Sequence, residues 1–170
     1  MMTLPAVDLG VMAEHLSIHE GVINKLKMYE ASTDNAILKD LIRLHMNILR
    51  KHVTAMLGLI NPDRDEEIRL PEMERFHFHI RTVILSDFDK DLALECKATA
   101  KLMGSDNFNS ALMMKDTNVK NVHLQMAYQD ITMQMLYDHF LQTMNVEFIP
   151  RVSKEVQRET FREYYHVSNE

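Results

Sequence analysis

The chain has 170 residues, 46% hydrophobic and 26% charged, and carries a net charge of -6. That length favours one domain with one sizeable core, and the scattered basic residues leave no stripe to neutralise phosphates, so no nucleic acid is expected as partner. Gly and Pro are scarce at 4 each and Trp is absent, which argues against a many-stranded β fold and for a few long helices. No apolar run approaches the ~20 residues of a membrane span, so no membrane insertion is expected. The start lacks a basic segment followed by an apolar stretch, and the sole cysteine, Cys96, has no internal partner; both suit a protein made and kept in a cytoplasm. The 14 methionines read as flexible filling for a helical core.

Residues 1–8 read as a leader, with Asp8 as the N-cap of a first helix over 9–29. Met12, Leu16, His19, Ile23 and Leu26 recur at helical spacing as its inner stripe, with Val11, His15, Ile18 and Val22 beside them. Ser32, Thr33, Asp34 and Asn35 form a turn rich in capping side chains. A second helix over 36–57 carries the stripe Leu38, Leu41, His45, Ile48, His52, which sets two histidines where a plain core has Leu or Ile. Gly58 and Asn61-Pro62 are its stop signals. The two helices should therefore form an antiparallel hairpin.

A crossover follows over 61–85, opening with Asp63, Arg64, Asp65, Glu66 and Glu67. Pro71 favours the first turn of a short helix. His77 and His79, among Phe76, Phe78 and Ile80, read as packing residues. The segment is long enough to cross a bundle, which separates a ferritin-like arrangement from a simple up-and-down one.

Ser86 or Asp87 caps a third helix over 86–114. Its stripe is Phe88, Leu92, Cys96 or Glu95, Thr99, and Leu102 or Met103, and Gly104 to Asn109 is a place to bend or stop. A fourth helix over 117–144 turns Val119, Val122, Met126, Gln129, Met133, Leu136 and Phe140 inward, and Pro150 closes it. Asp34–Lys39 recurs loosely as Asp116–Lys120, a faint two-hairpin repeat. The expected fold is all-α: a ferritin-like four-helix bundle over 1–150, two helical hairpins joined by a long crossover. A charged, partly helical tail over 151–170 carries Val152, Val156, Phe161, Tyr164 and Tyr165, to pack on the bundle or on a neighbouring chain.

Core histidines raise the question of a metal. Di-iron bundles use a Glu on each of two helices and Glu-x-x-His on the other two. That motif occurs here only as Glu74–His77, in the crossover, and Glu163–His166, in the tail. What remains is a looser set of candidates for zinc or another transition ion: His15, His19, His45, His52, Glu95, His123 and Asp130. Folding the first hairpin about residue 33 sets His15 level with His52, and His19 level with His45 to Ile48. The plainer reading has these histidines neutral at the edge of the core, several half exposed, each bonding a carboxylate or carbonyl. No catalytic residue, metal or cofactor is assigned. Cys96 lacks the electropositive, exposed setting of a reactive thiolate.

Asp91-Leu92-Ala93, then Lys97, then Asn118-Val119-Lys120 before a Met- and Gln-rich helix, then Met144-Asn145-Val146-Glu147-Phe148-Ile149-Pro150 together resemble the coat F domain of bacterial spore coat proteins. The leading hairpin, His15 through Glu20 and Asp34 to His52, is similar too, so the likeness spans roughly residues 10–150. The glycine usual in the ending motif is missing. The resemblance implies a structural, non-enzymatic protein of an endospore former, made in the mother-cell cytoplasm and placed in the spore coat. Other spore coat proteins are the implied partners, and a homodimer stays open. The alternative is a metal-binding or oxidase protein using the core histidines of the same bundle; a regulatory interaction module of sporulation is a third reading.

Overall fold

The computed structural model describes residues 3–73 and 83–169. Four long helices, α1 (Ala6–Ser32), α2 (Ala36–Ile60), α3 (Asp87–Met113) and α4 (Thr117–Thr143), precede α5 (Lys154–Tyr164) and a 3-10 turn (Tyr165–Asn169). No strand occurs among the described residues, and no described helix is long and apolar enough to cross a membrane.

Short polar side chains start three of the long helices. Asn35 accepts from the Leu38 N–H, Ser86 from Asp89 and Asp116 from Val119, each such cap contributing about 1 kcal/mol. α1 begins earlier than expected. The Pro5 carbonyl accepts from the Asp8 and Leu9 N–H groups, and no side chain caps it. Asp8 is therefore not the cap of its own helix. Its buried carboxylate accepts instead from the backbone N–H groups of Lys115 at 2.9 Å and Asp116 at 2.7 Å, tying the start of α1 to the α3–α4 turn.

Gly58 and Gly104 mark close approaches rather than breaks. α2 passes through Gly58, where an added Cβ would stand 3.0 Å from the Ile68 Cδ1, and stops only before Asn61-Pro62. α3 runs unbroken through Gly104, because α4 presses on it there. A Cβ at that position would meet the Ile131 Cδ1 at 2.9 Å and the Ala127 carbonyl at 3.4 Å. The C-terminus of α4 has its left-handed residue without glycine. Asn145 takes φ 55, the Val146 N–H reaches the Leu141 carbonyl and the Asn145 N–H reaches that of Gln142, a Schellman ending.

Two contacts fix the helix directions. Thr33 Oγ1 donates to Asp89 Oδ1, joining the α1–α2 turn to the start of α3, while Asp8 joins the opposite end. α1 and α4 therefore run one way and α2 and α3 the other, so the connection from α2 to α3 must travel the length of the bundle, as a ferritin-like arrangement requires. Its first part lies along α4. Asn118 Oδ1 accepts from Arg64 Nη1 and the Ile68 N–H, Asn118 Nδ2 donates to the Ile68 carbonyl, and Gln129 Nε2 donates to the Pro71 carbonyl. Residues 71–73 are not helical, contrary to the start expected at Pro71; Glu74, His77 and His79 lie outside the described residues.

The interior holds two apolar cores. One, toward the α1–α2 turn, gathers Leu26, Leu41, Ile42, Leu92, Cys96, Met133, Tyr137 and Phe140. The other, toward the start of α1, gathers Met12, Met56, Leu59, Met114, Val119 and Met126. Burying each such side chain contributes ~1.5–3 kcal/mol. Between the two lies a layer that is neither apolar nor exposed.

Candidate functional site

Every long helix contributes to this polar layer. Residues one turn apart share a helix face, so α1 presents His15 with His19. α2 presents His52, α3 presents Asn107 and Ser110, and α4 presents His123, Gln129 and Asp130; all are buried.

The hydrogen bonds determine which nitrogen carries the proton on three imidazoles. His19 Nδ1 donates to the His15 carbonyl at 2.7 Å, and His123 Nδ1 donates to the Val119 carbonyl at 2.9 Å. Gln129 gives its only donor group to the Pro71 carbonyl, so its Oε1 must accept from His52 Nε2 at 3.0 Å. The other nitrogens, His19 Nε2, His123 Nε2 and His52 Nδ1, are thereby left as lone pairs without a partner. Asn107 Nδ2 donates to Asp130 Oδ2 at 2.7 Å, leaving Asp130 Oδ1 and Asn107 Oδ1 unpartnered. His15 Nε2 meets Ser110 Oγ at 2.9 Å and its Nδ1 has no partner. Each such buried group costs ~1–3 kcal/mol.

Burial sets the charge state. It is the main cause that pushes His19 and His123 down to about 4 and His52 down to about 3; it lowers His15 too. It also pushes the Asp130 carboxyl up to about 8. His52 Nδ1 and Asp130 Oδ1 lie 3.9 Å apart, but desolvation opposes charge on both. At neutral pH they are a neutral pair rather than a salt bridge.

The fate of the candidate residues divides cleanly. His15, His19, His52, His123 and Asp130 come together in the layer. None is half exposed, which corrects that expectation. The register also differs: His19, not His15, faces His52, with ring centroids 5.7 Å apart. Helical side chains lean toward their own N-terminus, so on antiparallel helices these two lean toward each other. His45 is buried inside the apolar core near the α1–α2 turn, its Nδ1 3.3 Å from the Tyr137 hydroxyl, and burial pushes it down to about 3. Glu95 is outside the core, half exposed and paired with Lys25 at 3.1 Å. Cys96 takes the inner position, and burial pushes its thiol up to about 12.

Sequence reasoning missed Asn107 and Ser110 as members of the layer, and read Gln129 only as an inner-line residue. The signal for the first two was their i,i+3 spacing on a continuing helix, hidden by treating Gly104 to Asn109 as a break. A separate groove of about 1030 Å³ runs between α4 and residues 67–73, lined by Ile68, Leu70, Met73 and Tyr128. It meets the polar layer only through Gln129.

As the side chains stand, no three His, Cys, Asp or Glu groups among the described residues converge to hold a metal ion. No protein-family model, curated protein or solved structure matches this chain.

Proposed function

We propose that this protein is a structural, non-enzymatic component of the spore coat of an endospore-forming bacterium, working through contacts with other coat proteins. The observation that carries this reading is the tail. α5 and the 3-10 turn bury no residue, yet they hold Val156, Phe161, Tyr164, Tyr165 and Val167 in the open, with Val152 just before them. Aromatic and aliphatic side chains gathered on an unpacked helix are suited to docking. Among the described residues the tail buries no side chain on its own bundle, which favours a neighbouring chain, a second copy included, as its counterpart.

The residues behind the coat F resemblance support the same reading, because their contacts hold the fold together. Lys97 bridges Asp138 and Glu147, each at 2.7 Å. Asn118 clasps the crossover, and Asn145 supplies the left-handed residue that ends α4. Synthesis in the mother cell and deposition on the spore follow from this role.

A fluorescent fusion in the source organism tests the reading. Expression confined to sporulation, a ring of signal around the forespore, and altered coat composition on deletion of the gene are expected. Expression during vegetative growth together with an unchanged coat overturns it. Removing residues 151–170 is expected to leave a folded bundle that no longer joins the coat.

A further inference from the structure

The polar layer has an excess of one kind of group. His19 Nε2, His52 Nδ1, His123 Nε2 and Asn107 Oδ1 are buried acceptor positions without a partner, one from each of the four bundle helices. Against these four acceptors the layer offers at most two donors without a partner, the protonated Asp130 carboxyl at Oδ1 and, in one tautomer, His15 Nδ1. Buried lone pairs in excess of donors call for a cation or for water.

Two features favour a cation. First, His19 and His123 each donate the opposite ring N–H to a backbone carbonyl, and His52 donates to the Gln129 amide. This is how metal-bound imidazoles are oriented. Second, the spacing is close to what ligation needs. Two imidazoles on one tetrahedral ion have ring centroids roughly 5 Å apart, and two ligand atoms stand roughly 3.3 Å apart. The His19 and His52 rings are 5.7 Å apart, and His52 Nδ1 and Asp130 Oδ1 are 3.9 Å apart. As the side chains stand no three such groups converge, so binding an ion requires His19, His52 and Asp130 to move together.

We propose that the layer binds one divalent first-row transition ion through His19 Nε2, His52 Nδ1 and Asp130 Oδ1, beside the imidazoles of His15 and His123. Two nitrogens and one carboxylate oxygen suit zinc, and equally cobalt, nickel or copper. Asp130 gives up its proton to solvent when the ion binds. Gln129 is a positioning residue: it touches no ion, but its amide decides which nitrogen of His52 is free. Binding here is independent of the coat role, since a structural bundle can carry an ion as an internal brace.

The experiment uses full-length, untagged protein stripped with a chelator. Zinc uptake is measured by competition with a chromophoric chelator, and cobalt(II) serves as the spectroscopic probe. One zinc per chain, a raised Tm and the intense visible bands of four-coordinate cobalt are expected. His52→Gln and Asp130→Asn should abolish stoichiometric uptake, and Gln129→Leu should weaken it on the order of 10–100-fold. His45→Gln, in the apolar core, and His139→Gln, on the surface, should leave uptake unchanged. Folded wild-type protein that takes up less than one zinc overturns the proposal, as does uptake retained in a folded His52→Gln. Where that variant does not fold, the wild-type cobalt spectrum decides: the weak bands of six-coordinate, water-bound cobalt overturn it.

Discussion

Asp130 and His52 face each other across the centre of the bundle, 3.9 Å apart and both fully buried, yet each favours its uncharged form. The two groups pull stability in opposite directions with pH. Below pH 6.5 the unfolded chain protonates its imidazoles, while the folded chain resists until about 4 at His19 and His123 and about 3 at His45 and His52. The unfolded state then binds more protons, so stability rises with pH. The contribution of these histidines is complete above 6.5 and is lost as pH falls toward 4. Asp130 behaves oppositely: its folded pKa of about 8 lies above the ordinary 3.8, so its contribution is complete below 3.8 and is lost as pH rises toward 8. Neighbouring charges act in both directions. Asp8 supports protonation of His123, Asp106 and Glu14 support that of His15, and Lys25 opposes that of His45. Urea titrations of chelator-treated protein should show greatest stability near neutrality. The acid limb should be steeper than the ~1.4 kcal/mol per pH unit of a single proton, and the alkaline limb shallow. Asp130→Asn should flatten the fall in stability between pH 6.5 and about 8 and steepen the acid limb, since Asp130 opposes the histidines there; a histidine-rich layer that leaves the acid limb flat would contradict this assignment of charge.

Asp8 should matter far more than its place near the chain start suggests. Its carboxylate is the acceptor for two backbone N–H groups at the α3–α4 turn. Asp8→Ala would leave both without it, at a cost of roughly 3 kcal/mol, since bonds to charged groups are worth ~1.5–3 kcal/mol each. The midpoint of urea unfolding measures it. A loss under ~0.5 kcal/mol would mean that solvent reaches the turn.

Gly104 and Ile131 should be energetically coupled. Alanine gains about 1 kcal/mol over glycine in a helix, but its methyl would meet the Ile131 Cδ1 at 2.9 Å. Ile131 is 41% exposed, so its side chain can swing outward. Gly104→Ala alone should fall within ~1 kcal/mol of wild type. Paired with Ile131→Val, which removes the nearest atom, it should gain by ~0.5 kcal/mol or more beyond the sum of the single changes. A double-mutant cycle with no coupling would show that α3 and α4 adjust as whole helices.

Cys96 should be silent in the native state. Its thiol is fully buried and pushed up to about 12, so little thiolate exists and none is accessible. Labelling by a disulfide reagent should proceed only as fast as the bundle opens and should become immediate in denaturant. Prompt labelling of the folded protein would locate an opening between α3 and α4.

What could be read from the sequence was what depends on neighbours along the chain. Leu38, Leu41 and Ile48 declare the inner face of α2 by spacing alone, and Asn35 and Ser86 declare helix starts by their side chains. What could not be read depends on partners distant in sequence. Gly104 resembles a break until Ile131 is seen lying on it. Asp8 resembles a local cap until Lys115 and Asp116 arrive. Cys96 and Glu95 differ by one step around a helix, and only the packing beside Tyr137 and Lys25 decides which turns inward. The gathering of His19, His52 and Asp130 needed both the hairpin register and the placement of α4.

The division of the polar layer between hairpins has a consequence for how the chain assembles. α1 and α2 bring the imidazoles of His15, His19 and His52, while α3 and α4 bring Asn107, Ser110, His123, Gln129 and Asp130. Neither hairpin can complete this set alone, and each on its own would leave its share to water. Split into two polypeptides, the halves should recognise each other as complementary fragments, selected by matching polar seams as well as by oil. In the intact chain the crossover is then chiefly a tether, raising the local concentration of one half around the other.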